Sequence, residues 1–216
     1  MQIVDNKAVL LRLRHPAKVT TVIPRSQALP DNQVLVKWGI DEAHVLKNLN
    51  IKVPSPIEGK YTWTGKHTPF DHQKTTASFL TMHKRAFCFN EQGTGKTASA
   101  IWASDYLLNA KVISRVLVIC PLSIMDSAWR NDLFTFAMHR KVGVAYGSKK
   151  KRTEVIESDA EYVVINYDGV NIVEEVITKG GFDLIIVDEA THYKNAQTKR
   201  WKTLKRLMTS EPWLWM

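Results

Sequence analysis

The sequence predicts an α/β fold, a parallel sheet flanked by helices, with a small α+β module ahead of it. Three observations lead there. From Phe70 onward, short and nearly all-apolar runs alternate with amphipathic stretches, and runs such as Leu184 to Val187 are what a sheet buried on both faces requires. Strand–helix alternation of this kind builds parallel sheets through right-handed crossovers. A glycine-bearing loop, Asn90 to Thr97, separates one such strand from one such helix. Finally, 216 residues with 44% hydrophobic and 24% charged content leave room for one good core plus an extra module.

Taken in order, residues 1–53 form the small β-rich module. Ala8 to Leu13, Val19 to Ile23 and Gln33 to Trp38 are apolar runs bounded by turn residues, which predicts three short strands. Asp41 to Leu49 predicts a helix with Asp41 as its N-cap. Pro54 and Pro56 disfavour regular structure, so 54–68 is expected to be a linker and 69–216 the main domain. There, strands are expected over 86–89, 115–120, 142–145, 162–165 and 183–187, with a strand-like segment at 211–216. Helices are expected near 70–84, 96–109, 123–138, 150–157, 169–178 and 198–208.

Composition narrows the function classes. No apolar run approaches the ~20 residues of a membrane span, and the N-terminus lacks a signal-peptide pattern. Only Cys88 and Cys120 occur, both in apolar runs; core packing in a reducing, intracellular compartment (cytoplasmic, or nuclear in a eukaryote) is the expectation. The seven histidines show no zinc-ligand spacing with them. Thirty Lys and Arg against 21 acids give a net charge of +9, which permits a polyanionic partner. Lys149 to Arg152 form one cluster, expected in a surface loop. Lys194 to Arg206 contain six basic residues and no acid, with Trp201, Leu204 and Leu207 at helical spacing. One face of that helix is expected in the core and the other positive, although a basic face is also ordinary solvation.

The loop from Asn90 to Thr97 has the context of a phosphate-binding loop: strand before, helix after. Gly93 and Gly95 allow backbone N–H groups to wrap phosphate oxygens, with Gln92 and Thr94 between and beside them, and the helix N-terminus favours negative charge. Lys96 would reach the β- and γ-phosphates and the Thr97 hydroxyl would hold Mg²⁺, so ATP and Mg²⁺ are the expected ligands. The pattern G-x-x-x-x-G-K-[ST] asks for glycine where Asn90 stands. About ninety residues downstream, a buried strand ends in Asp188 and Glu189. Asp188 would bind Mg²⁺ and Glu189 would polarise the attacking water. With Lys96, these form the expected catalytic set of an ATPase.

Four blocks carry a family resemblance. Asn90 to Thr97 resembles motif I of superfamily-two helicases and translocases, most closely the Swi/Snf-like group, in which an acid often occupies the Asn90 position. Val118 to Trp129 resembles motif Ia, Val164 to Asp168 motif Ib, and Asp188 to Asn195 followed by Thr198-Lys199 motif II. The resemblance covers about residues 66–216 and implies a RecA-like motor lobe. It also implies that Gln73, in Pro69 to Gln73, recognises adenine and that Phe70 stacks on the base. Motif II usually has His where Thr191 stands; Thr191 donating a hydrogen bond or His192 substituting are both open.

The resemblance further implies a DNA partner, duplex and contacted through its sugar–phosphate backbone by motifs Ia and Ib, with Ser123 and Asp168 at helix starts and Asp168 acting as a cap. It implies a second RecA-like lobe, in this chain's parent or a partner chain, carrying motif III onward and an arginine finger. A lobe without it is expected to be inactive or very slow. The leading reading is an ATP-binding and hydrolysing lobe of a DNA helicase or duplex translocase. An RNA helicase lobe, a non-catalytic nucleic-acid adaptor and an unrelated P-loop kinase or transporter ATPase are the alternatives.

Overall fold

A computed structural model describes all residues, Met1 to Met216, and resolves them into one unit from Met1 to Thr62 and another from Trp63 to Met216. No helix is long and apolar enough to cross a membrane.

The first unit is a four-stranded antiparallel sheet in the order β1 (Gln2–Val4), β2 (Ala8–Arg12), β4 (Gln33–Lys37), β3 (Gln27–Leu29). Alternate residues Val9, Leu11, Val34 and Val36 turn inward and pack with Val19, Ile23, Trp38 and Leu46, the period-2 pattern of a half-buried sheet. Val19 to Ile23, expected as a strand, instead lie in helix α1 (Ala17–Val22) and its cap. Pro16 at the helix start has the φ a first turn needs, and this outweighs the β-branched run behind it. Helix α2 (Ile40–Asn48) is capped by Gly39, with Asp41 inside its first turn.

The proline segment expected as a linker belongs to this unit as far as Thr62. It forms a short helix α3 (Ile57–Lys60) whose Ile57 is fully buried. The Trp38 indole donates to Pro54 O at 3.0 Å, and Lys60 donates to Trp38 O.

The second unit holds a six-stranded, all-parallel sheet in the order β5 (Arg85–Ala86), β10 (Trp213–Trp215), β9 (Leu184–Val187), β6 (Val116–Cys120), β8 (Tyr162–Asn166), β7 (Val142–Ala145). Every residue of β6, β8 and β9 is buried, as helices on both faces of a parallel sheet demand. The helices are α4 (Asp71–Thr81), α5 (Lys96–Asn109), α6 (Asn131–Phe136), α7 (Lys149–Ile156), α8 (Tyr167–Ile172), α9 (Glu174–Lys179) and α10 (Lys199–Leu207).

Four details differ from expectation. The strand expected over 86–89 is only the two residues Arg85–Ala86, and Phe87 and Phe89 beyond it are exposed. The stretch 123–138 is not one helix: it runs through a 3₁₀ turn (Leu122–Ile124), a π-helical turn (Met125–Arg130) and α6. The stretch 169–178 breaks at Val173 into α8 and α9. Arg152, expected with its lysine neighbours in a surface loop, is buried in α7. Its guanidinium donates to Ala145 O (2.6 Å), Gly147 O (3.0 Å) and Asn166 Oδ1 (3.0 Å), joining the ends of β7 and β8. Lys149, Lys150 and Lys151 remain exposed.

Candidate nucleotide site

The loop expected to bind phosphate spans the gap between β5 and α5. Gly95 is the N-cap of α5 with φ +75°, and Gly93 has φ +78°, the left-handed region that glycine enters at no steric cost. At Gly95 a second constraint applies: a Cβ there would meet Gln73 Nε2 at 2.0 Å. Lys96 and Thr97 follow in the first turn of α5, where helix N–H groups have no intrahelical acceptor. The Lys96 ammonium donates across the loop to Asn90 O (2.8 Å) and Glu91 O (2.9 Å), and Thr94 Oγ1 donates to Glu91 O (2.8 Å). Asn90, where the pattern asks for glycine, donates from its side-chain amide to Thr76 Oγ1 at 2.8 Å. This pins the loop to α4.

Asp188 and Glu189 stand just past the C-terminal end of β9. Asp188 N donates to Ile119 O (2.9 Å), continuing the sheet by one residue. Its carboxylate accepts from Trp129 Nε1 at Oδ2 (2.8 Å) and from Glu189 N at Oδ1 (3.0 Å). Glu189 is left-handed (φ +54°, ψ +63°), a conformation that costs a non-glycine residue about 1–3 kcal/mol and gathers at functional sites. Its carboxylate faces His192 Nε2 at 3.5 Å, and the His192 ring packs on Tyr167 at 4.7 Å. The Tyr167 hydroxyl donates to Asp188 O. Burial, then the charges of Asp188 and Glu189, push the Tyr167 pKa far up, so the phenol stays a donor. Burial, with Asp188 adding, pushes the Cys120 thiol up to about 12, which leaves it an inert neutral neighbour.

One cavity of about 530 Å³ gathers these groups: Gln92, Gly93, Lys96, Thr97, Asp188, Glu189 and Thr191 all line it. Gln73, Phe70 and Thr94 are not among its lining residues. Gln73 instead braces the loop. Its Nε2 donates to Thr94 O (3.2 Å) and its Oε1 accepts from Phe70 N (3.0 Å). Phe70 is exposed and lies parallel to the His72 ring at 5.7 Å. Asp168, expected as a cap, is instead inside the first turn of α8, whose N-cap is Asn166. Its Oδ1 accepts from Arg200 Nε (3.1 Å) and Nη2 (2.8 Å). The Arg200 guanidinium also lies over the Tyr167 ring at 5.3 Å. Reading the sequence missed the Trp129–Asp188 and Tyr167–Asp188 bonds. Trp129 and Tyr167 stood in motif-like blocks, but no local spacing signals a bond to a residue so far along the chain.

Comparison with known proteins bears on the family and the fold. An uncharacterised ATP-dependent helicase of Mycoplasma genitalium is 29% identical over 120 residues, 55% of this chain and 12% of the relative. The chromatin-remodeling ATPase INO80 of Aspergillus clavatus is 30% identical over 128 residues, 53% of this chain and 7% of that protein. The chain therefore spans about an eighth or less of these relatives. A solved structure, the Sulfolobus solfataricus SWI2/SNF2 ATPase core in complex with dsDNA, superposes with a TM-score of 0.62 at 23% identity, over 71% of this chain and 32% of that one. The SNF2-related domain model matches residues 72–215, two-thirds of the chain and the whole of the parallel sheet. The chain belongs to the SNF2-related domain family.

Proposed function

We propose that this chain is the ATP-binding and hydrolysing lobe of a motor that moves along duplex DNA. The observation that carries the reading is the convergence of Lys96, Thr97, Asp188 and Glu189 on one cavity. In that cavity Lys96 exchanges its loop carbonyls for the β- and γ-phosphate oxygens, and the amides of Gln92 to Thr97 bind the remaining phosphate charge. The Thr97 hydroxyl and the Asp188 carboxylate are hard oxygen donors. Each Asp188 oxygen spends one lone pair within the protein, so the pair suits Mg²⁺, which takes few protein ligands and keeps water and phosphate for the rest. Thr97 and Asp188 would hold the ion, which when bound would supply neutralisation of the charge on the phosphoryl group. Glu189, held left-handed and beside His192, orients and deprotonates the attacking water. Gln73 retains one N–H and one acceptor lone pair beyond its bonds to the loop, enough to pair with an adenine edge, and the exposed Phe70 offers a stacking face.

The likeness to a core solved with duplex DNA supports the choice of track. The exposed cations of α7 and α10 and the backbone N–H groups after β6 and β8 suit phosphate rather than base contact. A second lobe supplies the remaining charge stabilisation; an arginine finger contributes ~10³–10⁵ in rate, so turnover by this lobe alone is slow.

The test is ATP binding and turnover with duplex DNA, single-stranded DNA and RNA in turn, beside Lys96→Ala and Glu189→Gln. Duplex DNA is expected to stimulate most, with DNA affinity falling roughly tenfold or more from low to physiological salt. Glu189→Gln is expected to bind ATP and not hydrolyse it. Activity surviving that substitution, or salt-insensitive DNA binding, would overturn the reading.

A further inference from the structure

Two hydrogen bonds join Asp188 to the segments that follow β6 and β8. The Trp129 indole donates to Asp188 Oδ2 at 2.8 Å, and the Tyr167 hydroxyl donates to the Asp188 carbonyl. Both rings are almost fully buried, Trp129 at 2% exposure and Tyr167 at 5%, so neither bond competes with bulk water. The Tyr167 ring packs against both the His192 ring and the Arg200 guanidinium. Other residues of the segment after β6 meet solvent: Asp126, Ser127 and Arg130 are exposed. One short stretch of chain therefore presents an outer face to the surroundings and an inner face to the carboxylate.

The form of that stretch matters. Trp129 lies in the π-helical turn Met125–Arg130, between a 3₁₀ turn and α6. A π turn carries one residue more than an α turn, persists only where its surroundings favour it, and is concentrated at functional sites. Relaxing it into α register rotates the side chains beyond the slip by roughly 100° about the axis. Trp129 would then leave Asp188, which would lose one of its two side-chain donors. Of the π register of the structure and an ordinary α register, only the π register sets the indole on the carboxylate.

We propose that Trp129 and Tyr167 are positioning residues that couple nucleic-acid contact along the segments after β6 and β8 to the metal-binding geometry of Asp188, with the π turn as the switching element. This rests on the function proposed above. Contact on the outer face that favours the π register holds the indole on Asp188 and fixes the carboxylate for Mg²⁺. By linkage, Mg²⁺-nucleotide on Asp188 favours the same register and tightens the outer contact by an equal factor.

The test uses the full chain with Trp129→Phe and Tyr167→Phe, each of which removes a donor and keeps a ring. Affinity for a non-hydrolysable ATP analogue is measured in EDTA, in Mg²⁺, and in Mg²⁺ with a short DNA duplex; circular dichroism melts report folding. Both variants are expected to bind the analogue in EDTA as the wild type does. They should lose about tenfold of the gain given by Mg²⁺, as the loss of an outer partner of a metal ligand does. The effect of duplex on nucleotide affinity should fall towards none. A folded variant that keeps the wild-type Mg²⁺ gain and duplex effect would overturn the proposal, as would equal weakening in EDTA, which marks simple loosening of the pocket. Should Trp129→Phe fail to fold, Tyr167→Phe decides alone. A wild-type chain that binds no nucleotide overturns instead the functional reading on which the proposal stands.

Discussion

Gly95 shows how one residue joins backbone and side-chain constraints. Its φ of +75° admits other residues only with strain, and the Gln73 amide occupies the space a Cβ would take. Gly93 has the same backbone sign but nothing within 4 Å of its added Cβ. Gly95→Ala is therefore expected to cost more than the ~1–2 kcal/mol of left-handed strain alone and to abolish ATP binding, whereas Gly93→Ala costs only that strain. Urea unfolding and nucleotide titration of the two variants check this. Residues of this kind were legible in the sequence because glycine, lysine and threonine stand within a few positions of one another in one loop, and the two acids stand side by side at the end of one apolar run. Arg152 was not: its charge placed it with its lysine neighbours, while its acceptors, Ala145 O and Asn166 Oδ1, belong to strand ends that only the fold brings together.

Among the elements, α10 is the clearest case of a helix docked by both apolar and charged contacts. Leu204 and Leu207 enter the core cluster, as their spacing predicted. At its far end Arg206 pairs with Glu174 at the start of α9, with Nη2 to Oε2 at 2.7 Å, and Thr203 Oγ1 donates to the same carboxylate. The Arg206 hydrogen bond holds the Glu174 pKa below its ordinary value. The stability this pairing contributes is thus complete above the ordinary glutamate range and lost as pH falls through the lowered value. Arg206→Gln is expected to lower the melting temperature at neutral and alkaline pH, where the pairing is complete, and to leave it nearly unchanged below about pH 3, so that the acid limb of the profile flattens. Strand and helix identities in this unit followed from apolar periodicity. The breaks did not: the π turn at Met125–Arg130 accompanies a bond from Trp129 to Asp188, 59 residues along the chain, and no local periodicity marks the stop at Val173. In the first unit Pro16 outweighed the strand-like run Val19 to Ile23.

Across the molecule, the sheet order has a consequence for how the chain acquires its structure. The strand that leads into the phosphate-binding loop, β5, is bonded to the sheet only through β10, pairing Arg85 with Leu214 and Ala86 with Trp215, and Cys88 N donates onward to Met216 O. Those partners lie about 130 residues apart in sequence, while β6, β8 and β7 find one another over much shorter loops. Contacts across long loops form late, because the loop-closure entropy falls due before they reward it. The β6–β8–β7 half should therefore assemble first, and the loop that holds Lys96 and Thr97 should gain its anchor only once β10 has entered between β5 and β9. Removing Pro212 to Met216 is expected to leave strong hydrogen-exchange protection in β6 and β8 and to strip it from residues 85–97. During synthesis on the ribosome, a chain that has already made most of its core would still be unable to bind ATP until the Trp-Leu-Trp strand emerged.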